Sequence, residues 1–411
     1  MHIPEIRFEG FTEPWEQCGL TDVLLPTVRN NTLSRADLNY DGGEVKNIHY
    51  GDILTKFGAF INAERGDMPF IKDGLVADFK NNLLKSGDVI FADTAEDETV
   101  GKVVEVTNAE NINIVSGLHT IVYRPKIKFA DCFMGYYLNT NAYRQQLLPL
   151  MQGAKVLSLG RGALANTLLR YPSTREEQVI IADFFRNLDD TIAHKRQQHE
   201  KTLNIKKAML EKMFPKKGAD VPEVRFEGFS EPWELYKLDY LFIERNERSE
   251  IGELISVTIS SGVVKASSLG RRDSSSEDKS NYKKVEKGDI AYNSMRMWQG
   301  ASGVSEYSGI LSPAYTVITP NDGVNSLFFS YLFKLPHMIQ IFQASSQGMT
   351  SDTWTLKFSA LKNIAVKSPS YEEQTAIGNF FRNLDTLIEA EQQELEKLQN
   401  IKKACLSKMF V

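Results

Sequence analysis

The sequence predicts an α+β fold built twice: two tandem domains of mixed sheet and helices, joined by two long helices that form an antiparallel coiled coil about a pseudo-twofold axis. Three observations predict it. Short motifs recur about 200 residues apart in the 411-residue chain. Each half carries a Gly-Asp turn followed by an apolar run, which reads as a strand after a tight turn. Each half also ends in a helical pattern with seam positions spaced by four and three. The predicted boundaries are 1–172 for the first α+β domain and 173–217 for the central long helix and linker. The second domain follows at 218–369 and the distal helix at 370–411.

The repeat is the organising feature. RFEGFTEPWE at 7–16 returns as RFEGFSEPWE at 225–234, nine identities in ten. EEQVIIADFFRNLD at 176–189 returns as EEQTAIGNFFRNLD at 372–385, ten in fourteen. NIKKAMLEKMF at 204–214 returns as NIKKACLSKMF at 400–410, nine in eleven. Between these anchors the copies share only echoes, such as SGDVIFA at 86–92 with KGDIAYN at 287–293, and Gln152-Gly153 with Gln347-Gly348. Near-identical ends with dissimilar middles imply one scaffold presenting two different surfaces.

Asp88–Phe91 and Asp289–Tyr292 are predicted strands, as are His119–Tyr123 and Ala314–Ile318, with Pro125 and Pro320 just beyond. Phe133–Met151 and Ser326–Phe342 are predicted helices. The long helices are expected over Thr174–Phe214 and Ser370–Phe410, where neither Pro nor an early stop intervenes. The second seam runs Leu384, Ile388, Glu391, Leu395, Leu398, Lys402, Cys405, Met409. The first runs Leu188, Ile192, Lys195, His199, Thr202, Lys206, Met209, Met213, apolar at its ends and polar in its middle.

Composition excludes several classes. The chain is 42% hydrophobic and 25% charged, ordinary for a globular protein. It has no apolar run long enough for a spanning helix and no signal-peptide pattern at its start, so no membrane is expected and cytoplasm is the default. Three distant cysteines predict neither a disulfide framework nor a zinc site, and no metal site is expected. The net charge of −5 is unevenly spread. Residues 123–170 carry seven basic groups against Asp131, and residues 195–217 carry eight against two acidic ones. Such a chain can meet nucleic acid on one face and other partners elsewhere.

The search for catalytic motifs is negative. There is no P-loop, no GxSxG, no HExxH and no Asn/Asp-Pro-Pro-Tyr/Phe tetrapeptide. Gly160, Gly162 and Ala165 match GxGxxA, but Pro172 leaves too little room for a following helix, so a dinucleotide site is not expected there.

The paired RFEGF…PWE openings and the EEQ…FFRNLD…NIKKA helices resemble the specificity (S) subunit of type I restriction-modification enzymes. The resemblance covers the whole chain in architecture and about 100 residues in motif. It implies that each α+β middle is a target-recognition domain reading one half of a bipartite site in double-stranded DNA. It implies that the helix pair sets the spacer and docks two methyltransferase (M) subunits. Restriction (R) subunits would join them. The chain itself would be non-catalytic and bind no cofactor; S-adenosylmethionine would belong to the M subunits, and ATP with Mg to the R subunits. A coiled-coil protein adaptor without DNA specificity is the alternative.

Arg and Lys meet guanine in the major groove, and Gly-rich loops let backbone approach phosphate. The DNA-contact candidates are therefore Lys155 and Arg161 on the Gly153–Gly162 segment, then Lys56, His119 and Arg124. In the second domain they are Arg296 within NSMRMWQG, Lys265, Arg271, Arg272 and Thr350. Leu188, Ile192, Leu384, Ile388, Leu395 and Leu398 are assigned to the helix seam. Phe184, Phe185, Phe380 and Phe381 are assigned to domain packing or subunit docking.

Overall fold

The computed structural model describes residues 3–270, 275–350 and 353–411. The chain divides into two compact units that cut across the linear boundaries: Met1–Arg196 with Glu394–Val411 form unit one, and Gln197–Gln393 form unit two.

In unit one the Gly-Asp element opens the strand Val89–Ala92, buried at every position. It is central in a five-stranded sheet ordered Leu24–Leu25, Thr120–Pro125, Val89–Ala92, Val103–Thr107, Phe60–Asn62. A smaller sheet, including Lys46–Ile48 and Ile114–Ser116, packs beside it. In unit two the equivalent strand Ile290–Asn293 lies between Tyr315–Pro320 and Ser302–Val304. Both prolines stand at the last position of their strand. The turns share one mechanism. Gly87 and Gly288 adopt φ of +88° and +95°. Asp88 and Asp289 then accept the amide N–H three residues earlier, each at 2.8 Å.

The helix expected over Phe133–Met151 is broken into Phe133–Tyr137, Asn141–Arg144 and a single 3₁₀ turn at Leu148–Leu150. Thr140 restarts the chain by accepting the Tyr143 N–H, and Pro149 lacks the donor a continued helix needs. In the second copy Pro336 starts a new helix, Pro336–Ser345, after Ser326–Leu332.

The long helices span Arg175–Lys212 and Tyr371–Lys408. Within each unit one end of the first packs antiparallel on the opposite end of the second. In unit one Asp189 pairs with Lys402 and Lys195 with Glu394; in unit two His199 faces Glu391 and Lys206 pairs with Asp385.

Candidate functional site

The repeated motifs build a frame that is the same in both units. Arg7 makes a bidentate pair with the buried Glu177 at 2.7 and 2.8 Å, and Arg225 does so with Glu373, both contacts at 2.7 Å. Trp15 and Trp233 lie edge-on to Phe410 and Phe214. Gln178 and Gln374 each accept a backbone N–H at the start of a domain helix, from Ala130 and Asn325. Tyr136 donates to Asp189 at 2.8 Å, and Tyr331 to Asp385 at 2.7 Å. Burial, then the neighbouring carboxylate, pushes both phenol pKa values upward, so both hydroxyls remain donors.

Phe185 and Phe381 are fully buried against Phe410 and Phe214. Phe184 and Phe380 are half-buried beside Phe8 and Phe226. Of the seam residues, Ile192 and Leu395 are buried; Leu188, Leu384, Ile388 and Leu398 are half-buried.

On this frame stand loops that differ between units. In unit one, Gln152 and Ser158 pair across a hairpin whose tip carries the exposed Lys155. Gly153 has φ +122°, and a Cβ there would lie 1.9 Å from the Val156 carbonyl oxygen. Arg161, also exposed, opens a short helix. The strand Leu157–Ser158 pairs with Thr94–Ala95, and Thr94 contacts His119 Nδ1 at 3.3 Å. Lys155, Arg161 and His119 therefore belong to one edge. Lys56 has its own partners: its ammonium is held by Asp67 at 2.5 Å and lies over the Tyr40 ring.

Arg124 has a structural partner inside unit one. Its guanidinium makes two hydrogen bonds to Asp88, whose carboxylate is fully buried. A buried carboxylate needs such a partner. Unit two solves the same problem with a residue from another strand end: Arg245 holds Asp289 at 2.7 and 3.1 Å.

In unit two, Gln347 pairs with Thr355, and Gly348, at φ +144°, stands where a Cβ would lie 2.6 Å from the Thr353 carbonyl oxygen. Thr350 is exposed at this tip, its N–H donating to Thr353 Oγ1. The NSMRMWQG loop docks here: Leu356 N–H donates to Ser294 O at 2.8 Å, and Trp298 lies edge-on to Trp354 at 5.3 Å. Arg296 and Thr350 thus share one surface, with Arg296 exposed and bonded to Gln299. Lys265 is tied to Glu253 at 2.8 Å and lies over Tyr307. Arg271 and Arg272 lie outside the described residues. Sequence reasoning missed Met295 and Met349, 49% and 99% exposed on the same two loops. The repeated Gln-Gly pair was the signal that marked the second of these loops.

Glu105, unlike the buried carboxylates above, has no arginine or lysine partner. It accepts the N–H groups of Cys132 and Gly135, each at 2.8 Å, and so caps the helix Phe133–Tyr137 from a neighbouring strand. Burial pushes its pKa up to about 8, against the lowering effect of those two donors. Among the described residues no cluster of His, Cys, Asp and Glu could hold a metal ion, and no helix is long and apolar enough to cross a membrane.

The profile of the type I restriction modification DNA specificity domain matches twice, over residues 12–204 and 231–400. The specificity subunit of the type I restriction enzyme MjaIX of Methanocaldococcus jannaschii is 28% identical over 194 residues, 47% of this chain and 38% of that protein. The crystal structure of the S subunit of a type I restriction-modification system from M. genitalium superposes with a TM-score of 0.59 at 14% identity, covering 100% of this chain and 99% of that one. An HsdS subunit from Thermoanaerobacter tengcongensis gives a TM-score of 0.47 at 15% identity, covering 98% of each chain.

Proposed function

Because the chain belongs to the type I restriction modification DNA specificity family, we propose that it reads a bipartite site in double-stranded DNA, one half with each recognition domain. One observation carries the reading: an identical frame of Arg–Glu, Tyr–Asp and Trp–Phe contacts supports different exposed loops in the two units. A repeated frame gives both domains the same anchorage; loops that differ give each its own base preference. In unit one the readers are Lys155, Arg161 and His119. In unit two they are Arg296 and Thr350, with Met295 and Met349 as apolar contacts. Arg124, Lys56 and Lys265 hold acidic neighbours instead.

The helix pair sets the gap between half-sites and docks two M subunits in the cytoplasm. Asn204, Ile205 and Lys207 recur as Asn400, Ile401 and Lys403, and all six are exposed. An exposed isoleucine kept in both copies, 40% and 39% open, fits a protein partner that binds twice. The chain supplies recognition. Its M partners supply S-adenosylmethionine chemistry on adenine, and R subunits use ATP and Mg.

The test is a methylation map from a methylation-free host expressing the chain with its cognate M subunit. A single two-part motif with a fixed gap is expected. Replacing the second recognition domain alone should change one half of the motif only. An unchanged motif overturns the reading. A stable complex with M that binds no DNA would instead favour a protein adaptor.

A further inference from the structure

The two ends of the helix pair are interchangeable. Unit one ends in Tyr136, Asp189 and Lys402; unit two ends in Tyr331, Asp385 and Lys206, with the same contacts. Phe185 with Phe410 likewise repeats as Phe381 with Phe214. The end of the first helix would fit a second copy of itself as well as it fits the second helix. The ends therefore do not decide which helix pairs with which.

The middle differs. At the repeat offset of 196, Lys195 corresponds to Glu391, Gln198 to Glu394, His199 to Leu395 and Thr202 to Leu398. In unit one Lys195 Nζ lies 2.8 Å from Glu394. In unit two Thr202 Oγ1 donates to Glu391 at 3.2 Å, and His199 Nδ1 lies 3.7 Å from the other Glu391 oxygen. That nitrogen and that oxygen are buried, with no hydrogen-bond partner among the described residues. Such a pair stabilises little, and apolar residues would pack as well. Polar groups in a coiled-coil seam earn their place by fixing partner and register.

Exchanging equivalent positions shows which partner. Against a second copy of the first helix, His199 and Thr202 would face Lys195, and Lys195 would face Gln198. Lys195 is left there without the acid it meets in the native pair. Against a second copy of the second helix, Glu394 would face Glu391, and Glu391 would be set against Leu395 and Leu398. Carboxylates oppose each other, and one is buried against leucine. Repulsion in the wrong pairings is what separates right partners from wrong ones.

We propose that two pairings, Lys195 with Glu394 in unit one and His199 and Thr202 with Glu391 in unit two, each act as a heterotypic lock: the chain's two long helices accept each other and reject a second copy of themselves. Its consequence for DNA rests on the functional reading above. A homotypic assembly would carry two identical recognition domains and so a symmetric target, whereas the locked pair carries two different ones.

The full chain tests this by sedimentation velocity across a wide concentration range. Wild type should remain monomeric. Glu394→Lys sets lysine against Lys195 in the native pair and against Glu391 between two second helices. Its dimer fraction should rise about ten-fold, equivalent to about 1.4 kcal/mol. Adding Lys195→Glu restores opposite charges across the native pair and should return the monomer. A Glu394→Lys chain that stays monomeric, or a double variant that stays dimeric, overturns the lock. A milder pair of changes, Glu391→Gln with Glu394→Gln, keeps the shape and removes the repulsion. Co-expressed with two different tags, this variant should be co-captured more than wild type; equal capture overturns the proposal. Mass and capture are read without methylation, so failure here leaves the DNA reading standing, and an altered methylation map bears on that reading alone.

Discussion

Asp189 on the first long helix ion-pairs with Lys402 on the second, and the same carboxylate accepts the Tyr136 hydroxyl from the recognition domain. Three segments distant in sequence meet at one side chain. Asp189→Ala leaves the buried Tyr136 hydroxyl unpaired, at a cost of about 1–3 kcal/mol. Hydrogen exchange should show faster opening of Phe133–Tyr137, with unit two unchanged. Asp385→Ala should produce the mirror result around Tyr331.

Arg124 and Lys155 should part company under mutation. Arg124→Met abandons the buried Asp88 carboxylate and should destabilise unit one by about 3–5 kcal/mol, read by thermal unfolding. Lys155→Ala should leave stability within about 0.5 kcal/mol of wild type, as surface changes do. It should weaken DNA binding by the S–M complex and flatten its salt dependence.

Glu105 gives unit one a pH dependence. Its folded pKa of about 8 lies above the ordinary 4.5 of a glutamic acid. The native state therefore holds a proton that the unfolded chain releases. This contribution is full below the unfolded value and is lost as pH rises through the folded one. Wild-type stability should decline from mildly acidic to mildly alkaline pH. Glu105→Gln should remove that slope while losing one backbone hydrogen bond, about 1 kcal/mol at acidic pH. Parallel stability curves for the two proteins would contradict this.

Gly153→Ala and Gly348→Ala each force a Cβ into a carbonyl oxygen across a hairpin tip. Each should disturb one loop and leave its core intact. In a methylation assay the first should relax one half of the target and the second the other half.

The scaffold was legible because it is periodic and repeated. The seam spacing at Leu384, Ile388 and Leu395 and the Gly-Asp turns before Val89 and Ile290 are local signals, and each copy corroborates the other. The break at Thr140 was less visible, since one capping hydroxyl and Pro149 compete with an otherwise helical run. The Arg124–Asp88 pair was not legible because a sequence displays charge without its partner; Asp88 lies 36 residues away. The loop that carries Met349 was marked by its Gln-Gly pair, but nothing local said its methionine would stand fully exposed.

Unit one is finished by residues from the far end of the chain. Phe410 packs against Trp15, Phe133, Tyr137 and Phe185, and Met409 belongs to the same core. During synthesis the domain that leaves the ribosome first therefore lacks its own closing piece until residue 410 has been made. Until then the nascent chain holds a single Met-Phe plug, Met213-Phe214, and two places that such a plug can fill. The core of this half of the molecule is therefore completed only by the last-made of its residues.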